Sequence, residues 1–167
     1  MQRVLEYIVF FVVVVLLQAL LFDNLLLSGL IVPLYYISFV VLLPVKMSRL
    51  GLLVVGTLLG VVMDVSMGTA GLNTVATAAV AYLRPLAMNI SMGKDTAHES
   101  IPFGGAITPT SFMLYATLLV VAHSALFFGL ESLGSHPLFT IGKIILSSVV
   151  TVILTIFTAR LFRKLVS

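Results

Sequence analysis

The 167-residue chain contains no cysteine and few ionic side chains: nine lysines and arginines against six aspartates and glutamates, with three histidines. Without cysteine there can be no disulfide, no thiol nucleophile and no thiolate metal site. The shortage of charge excludes an ordinary soluble domain, in which about a quarter of residues are ionic. Here the charged share is 9% against 60% apolar, and mean hydropathy is +1.23. So few ions cannot clothe a globule of this length in water, so lipid must cover most of it. Enzyme templates are missing as well: there is no phosphate-binding Walker loop, no H-E-x-x-H and no G-x-S-x-G. His98, His123 and His136 fall in different layers of a membrane chain, and no helix carries paired carboxylates at workable spacing. The expectation is a protein that is not an enzyme and has no catalytic residues, cofactor or metal. The formal charge of +3 calls for no nucleic-acid partner, because the positions of the cations explain it.

What is present is a series of six apolar segments, at 4–22, 30–44, 50–63, 71–90, 110–130 and 138–162. They predict an all-α membrane protein with one six-helix transmembrane domain over 1–167. The first segment follows Arg3 but is too long for a signal-peptide core and lacks a small-residue cleavage site, so it reads as a retained helix. The second and third are short against the ~20 residues of a spanning helix. They read either as a buried or thinned pair or as one re-entrant hairpin. "PVKMSRL" between them suits an aqueous turn.

With six spans and the N-terminus inside, the inner side receives Arg3, Lys46, Arg49, Arg84, Lys94, Arg160, Arg163 and Lys164, and the outer side Lys143 alone. That asymmetry places both termini in the cytoplasm. Asp23, Asp64 and Glu131 fall at outer ends. The connector 91–109, with its glycines, prolines and mixed charge, cannot form a packed unit. Arg160, Arg163 and Lys164 are placed to snorkel or to meet anionic lipid. Arg84 is expected to snorkel too, and Pro85 to break the fourth helix.

The stretch "GVVMDVSMGTAGLN" (60–73) sets an aspartate between two apolar runs among Gly60, Gly68, Ala70 and Gly71. Helices in lipid associate through close contact of small residues. Gly56 and Gly60 form such a pair, facing a smooth side of the fourth helix around Ala76 to Ala79. Asp64 lies one turn beyond Gly60 on the same face, and Gly68 and Gly71 permit a tight turn. A carboxylate there can accept from the free N–H groups at the start of helix four. Two readings stand: a cap fastening helix three to helix four, or an ion, proton or partner site.

His123 lies mid-helix in the fifth segment. An intramembrane histidine faces protein or water, and one histidine is no zinc site. Its expected partners are Ser147, Ser148 or Thr151. Glu131 lies two turns on, with Lys143 across a short turn as its expected partner. Gln18 is expected to bond another helix, and Tyr35, Tyr36, Tyr82 and Tyr115 to serve packing or membrane belts.

In the order of these features the chain resembles the MreD family of the bacterial cell-elongation machinery. The resemblance rests on the basic start and apolar first helix, Pro33 and Pro44 around a short second helix, Gly60-x-x-x-Asp64 with Gly68 and Gly71, and His123 to Glu131 ("HSALFFGLE"). It implies a six-helix arrangement similar to the substrate-binding subunits of energy-coupling-factor (ECF) vitamin transporters. It also implies a non-enzymatic scaffold in the bacterial cytoplasmic membrane. The implied partners are a membrane-anchored MreC-type protein, other elongation membrane proteins near MreB filaments and the peptidoglycan synthase, and the lipid bilayer; a second copy of the chain is a further candidate. The alternative is a vitamin-binding membrane subunit, which would need polar and aromatic side chains converging in an outward-open pocket. The candidate structural or partner residues are Gly56, Gly60, Asp64, Gly68, Gly71, His123, Glu131 and Lys143.

Overall fold

The computed structural model describes residues 2–23, 30–93, 107–133 and 136–166. Most of the expected connector, residues 94–106, and the side chains of Arg3, Arg163 and Lys164 lie outside the described residues. The described chain is helical: α1 (Gln2–Leu17), continued by a π-helical turn (Gln18–Phe22), α2 (Ile37–Leu42), α3 (Arg49–Met67), α4 (Leu72–Met92), α5 (Pro109–Ser132) and α6 (Pro137–Val166). Among the described residues four helical stretches are long and apolar enough to cross a membrane: Val4–Phe22, Arg49–Met67, Pro109–Ser132 and Pro137–Phe162. The protein is an all-α membrane protein.

Local chemistry sets the helix ends. Ser48 caps α3, its Oγ accepting from Gly51 N at 3.1 Å, and Thr108 caps α5, its Oγ1 accepting from Ser111 N at 3.2 Å with Pro109 just inside. α3 stops at Gly68, whose φ of +65° lets its N–H and that of Thr69 turn back onto Asp64 O. Gly71, at φ +89°, then starts α4. The chain thus reverses between α3 and α4 within four residues (68–71), two of them glycines in the left-handed region.

α3, α4, α5 and α6 pack side by side in chain order. Against the expectation at Pro85, α4 runs unbroken through it to Met92. A proline costs a helix one internal bond, which neighbouring helices in a membrane bundle can absorb.

The second apolar segment departs most from expectation. The third is a full 19-residue helix, but the second is helical only over Ile37–Leu42. Residues 31–34 are non-helical, and every residue from Pro33 to Leu43 is buried. Val32 N bonds Ser147 of α6 and Ser38 Oγ bonds Thr155, so six residues of this segment keep pace with eight of α6. That is an advance of about 2 Å per residue, against 1.5 Å in an α-helix. The segment therefore covers more depth than its length suggests and threads the middle of the bundle, touching α1, α4, α5 and α6. It is neither a spanning helix nor half of a re-entrant hairpin with α3. Non-helical backbone at membrane depth survives only when wrapped in protein, and its partners supply the wrapping. The outer faces of α1, α3 and α6 carry exposed aliphatic residues such as Val9, Val54 and Ile153, as a lipid surface requires.

Candidate functional site

The polar residues that interrupt the apolar runs converge inside the bundle. Asp64 is 9% exposed and accepts four hydrogen bonds. Its Oδ1 receives Asn73 N at 2.9 Å and Thr69 Oγ1 at 2.5 Å; its Oδ2 receives Thr74 N at 2.9 Å and Thr74 Oγ1 at 2.5 Å. The cap reading thus corresponds to the observed geometry: a side chain near the end of α3 closes the first turn of α4 and meets its positive dipole end. Close contact makes this reach possible. A Cβ built on Gly60 would lie 2.4 Å from Thr74 Cα and 2.8 Å from Asn73 O, and one on Gly56 2.7 Å from Ala81 Cβ.

From this cap a chain of hydrogen bonds runs inward. Asn73 Nδ2 donates to Thr69 Oγ1 at 2.7 Å, and Asn73 Oδ1 accepts the Tyr36 hydroxyl at 2.5 Å. Tyr36 Oη lies 3.1 Å from His123 Nε2, with Thr77 Oγ1 at 3.4 Å on the same nitrogen. Tyr36 has one hydroxyl proton and gives it to Asn73, so the imidazole must donate from Nε2. His123 Nδ1, which has no partner among the described residues, is then a bare lone pair. Each donor in the sequence His123, Tyr36, Asn73, Thr69 points toward the Asp64 carboxylate, an order in which successive bonds polarise one another. Tyr36, Asn73, Thr77 and His123 are fully buried. The expected partners of His123 on α6 are therefore incorrect. Ser147 and Thr151 accept from Val32 N and Leu34 N, because the non-helical backbone there needs acceptors more than the imidazole does.

A second cluster closes the other end of α2. Arg84, expected to snorkel, is instead fully buried. Its Nε donates to Tyr115 Oη at 2.7 Å, Nη1 to Pro44 O at 3.2 Å and Nη2 to Leu43 O. Tyr115 Oη donates in turn to Val41 O at 2.9 Å. The carbonyls just past α2, those of Leu43 and Pro44, thus meet the cation, and Val41 O in the last turn of the helix meets Tyr115. Arginine serves because its planar fork reaches three acceptors at once. Gln18 holds the start of the threaded segment. Its Nε2 donates to Pro33 O and to Asp23 Oδ1, and its Oε1 accepts from Tyr36 N. Burial raises the Asp23 carboxyl from its ordinary value, and the Gln18 bond partly offsets this.

Glu131 and Lys143 meet as expected, with Lys143 Nζ 3.0 Å from Glu131 Oε2, and the ammonium also lies over the Phe128 ring at 5.1 Å. Glu131 is 44% exposed, so the pair is worth on the order of 0–1 kcal/mol. The pair lies apart from the core chain, so the structure joins Gly56, Gly60, Asp64, Gly68, Gly71 and His123 in one unit and leaves Glu131 and Lys143 outside it. Among the described residues no group of three or more His, Cys, Asp or Glu side chains could hold a metal ion.

Sequence reasoning missed Tyr36, Asn73, Thr69, Thr74, Thr77 and Tyr115 as members of the network. One signal was available for the α6 side: Ser147, Thr151, Thr155 and Thr158 recur at steps of four, four and three, a hydroxyl stripe on one helix face. No protein-family model, curated protein or solved structure matches the chain.

Proposed function

We propose that this protein is a non-enzymatic membrane scaffold of the MreD type, which holds a membrane-anchored MreC-type partner and helps couple the bacterial elongation filaments to peptidoglycan synthesis. In this reading it crosses the bacterial cytoplasmic membrane six times with both termini in the cytoplasm. One observation carries the proposal. The residues on which the resemblance rests, Gly60, Asp64 and His123, belong to one internal set of ties that locks α2, α3, α4 and α5 together. A small ligand at the bundle centre would have to break bonds among Tyr36, Asn73 and His123, whereas a scaffold needs such bonds to keep its outer surfaces in register. A groove of about 550 Å³ between α1 and α3, floored by Phe39 and Leu43, opens sideways rather than into the centre. Such an opening suits a lateral helix contact, whose energy comes from packing rather than from hydrophobicity.

The deciding experiment is affinity purification in mild detergent with an MreC-type protein co-expressed. A stable complex is expected with the wild-type chain and a depleted one with Gly60→Leu, which forces α3 from α4. Recovery of the chain alone, carrying a tightly held metabolite, would overturn the proposal in favour of the vitamin-subunit reading.

A further inference from the structure

The outward stripes of the long helices differ in kind. On α3 the stripe is Leu50, Val54, Leu58, Val61 and Val65, and on α6 it is equally apolar from Ile141 to Phe157. Lipid asks for nothing else. On α4 the outward stripe is Val75, Ala79, Tyr82, Leu86 and Asn89, of which Ala79 is half-buried and the rest are exposed. Tyr82 is 65% exposed, and neither its hydroxyl nor the Asn89 amide has a hydrogen-bond partner among the described residues. We propose that this face of α4 is an interface with a second copy of the chain. The two α4 helices would run parallel about a two-fold axis along the membrane normal, with the Tyr82 hydroxyls bonded to each other.

The depth of Tyr82 sets it apart from a membrane-belt tyrosine. It stands ten residues from each end of α4, about 15 Å. Its neighbours agree: Ala81 meets Gly56, seven residues past the first of α3, and Arg84 meets Tyr115, six past the first of α5. A helical side chain leans toward the N-terminus of its own helix, which carries the Tyr82 ring away from the nearer membrane surface, on the Met92 side. The hydroxyl therefore faces hydrocarbon, where an unbonded donor is costly. A second copy supplies what lipid lacks. Two copies inserted in the same direction can pair through one shared surface only about an axis along the membrane normal, so each residue of the seam meets its own counterpart at the same depth. Such a seam must be self-complementary at every level. A tyrosine hydroxyl and an asparagine amide each carry both donor and acceptor. Steps of four, three, four and three residues fit the period of a left-handed helix pair, in which a polar residue fixes the register. Ala78 and Ala79, both half-buried, let the backbones approach. No charge on the stripe repels its copy, because Arg84 turns inward and is fully buried. The face shares no residue with the α1–α3 groove, so this inference is independent of the scaffold reading.

The chain has no cysteine, so single introduced cysteines report contacts between copies. The full chain is reconstituted in vesicles and oxidised as Val75→Cys, Ala79→Cys or Leu86→Cys on α4, with Val54→Cys on α3 and Ile153→Cys on α6 as controls. A disulfide needs Cα atoms within about 7 Å, so the α4 variants should cross-link to their own copies and the controls should not. Affinity is read separately, by energy transfer between C-terminally tagged chains as added lipid dilutes them. Tyr82→Phe keeps the ring and removes only the hydroxyl. It should raise the apparent dissociation constant about three- to fifteen-fold, the effect of one hydrogen bond between helices in lipid. Ala79→Leu, which holds the backbones apart, should abolish transfer. A chain that is monomeric at every dilution, cross-links at Val54→Cys or Ile153→Cys in place of α4, or a Tyr82→Phe or Ala79→Leu dimer as tight as the wild type would each overturn the assignment. Should a cysteine variant fail to insert, energy transfer with the wild type and Tyr82→Phe decides alone.

Discussion

Replacing Gly60 by alanine adds one methyl group, and the geometry says where it must go. The new Cβ would sit 2.4 Å from Thr74 Cα, 2.8 Å from Asn73 O and 2.9 Å from Thr74 N, all backbone atoms of α4. No side chain can rotate to make room, so α4 must retreat by about 1 Å to regain ordinary contact. The bonds from Asn73 N and Thr74 N to Asp64, each 2.9 Å, would stretch beyond hydrogen-bonding range. Overpacking of this kind costs about 1–3 kcal/mol, and hydrogen bonds to a charged group are worth about 1.5–3 kcal/mol each. Because the chain can relieve one by sacrificing the other, the two do not add fully, and a net loss of about 2–4 kcal/mol is expected. Alanine also gains up to about 1 kcal/mol over glycine in helix propensity. Gly129→Ala is therefore the reference: a Cβ there meets nothing within 4 Å. The assay is reversible unfolding in mixed micelles against rising fractions of a denaturing detergent. Gly56→Ala should fall between the two, because its clash is with the Ala81 side chain at 2.7 Å, and Ala81→Gly should rescue it. A Gly60→Ala stability within 0.5 kcal/mol of Gly129→Ala, on the order of the scatter among harmless substitutions, would refute the contact.

Two further outcomes follow from the core. Arg84→Lys should cost about 2–4 kcal/mol in the same assay, because one ammonium cannot serve Leu43 O, Pro44 O and Tyr115 Oη together; a neutral result would return Arg84 to the headgroup layer. The nitrogen-15 spectrum of His123 should show the proton on Nε2 and none on Nδ1, and Tyr36→Phe should disturb the Nε2 resonance most. A proton found on Nδ1 would make Nε2 the acceptor of the Tyr36 hydroxyl and so refute the donor order at the His123 end of the chain.

Much of the site was legible because it depends on neighbours in sequence. The tight turn at Gly68 and Gly71, the small pair Gly56 and Gly60, and Asp64 one turn further on are set by helical spacing and by glycine's freedom at positive φ. The Glu131–Lys143 pair likewise spans one short turn. Arg84 and His123 were misplaced for a common reason. Their partners, Leu43 and Tyr36, are 41 and 87 residues away, and no periodicity encodes which distant groups meet.

Composition alone determined the solvent: a chain with this little charge must bury itself in lipid, and lipid admits a closed set of helices because every backbone group needs a partner within the protein. Tertiary structure decided what becomes of a segment that breaks that rule. Residues 31–34 are not helical, and their survival depends on Gln18, Ser147 and Thr151, while Arg84 and Tyr115 close the short helix that follows. Those donors and acceptors come from four other helices. Only the folded arrangement brings them within 3.5 Å, and at that distance a polar group in lipid changes from a cost to a tie.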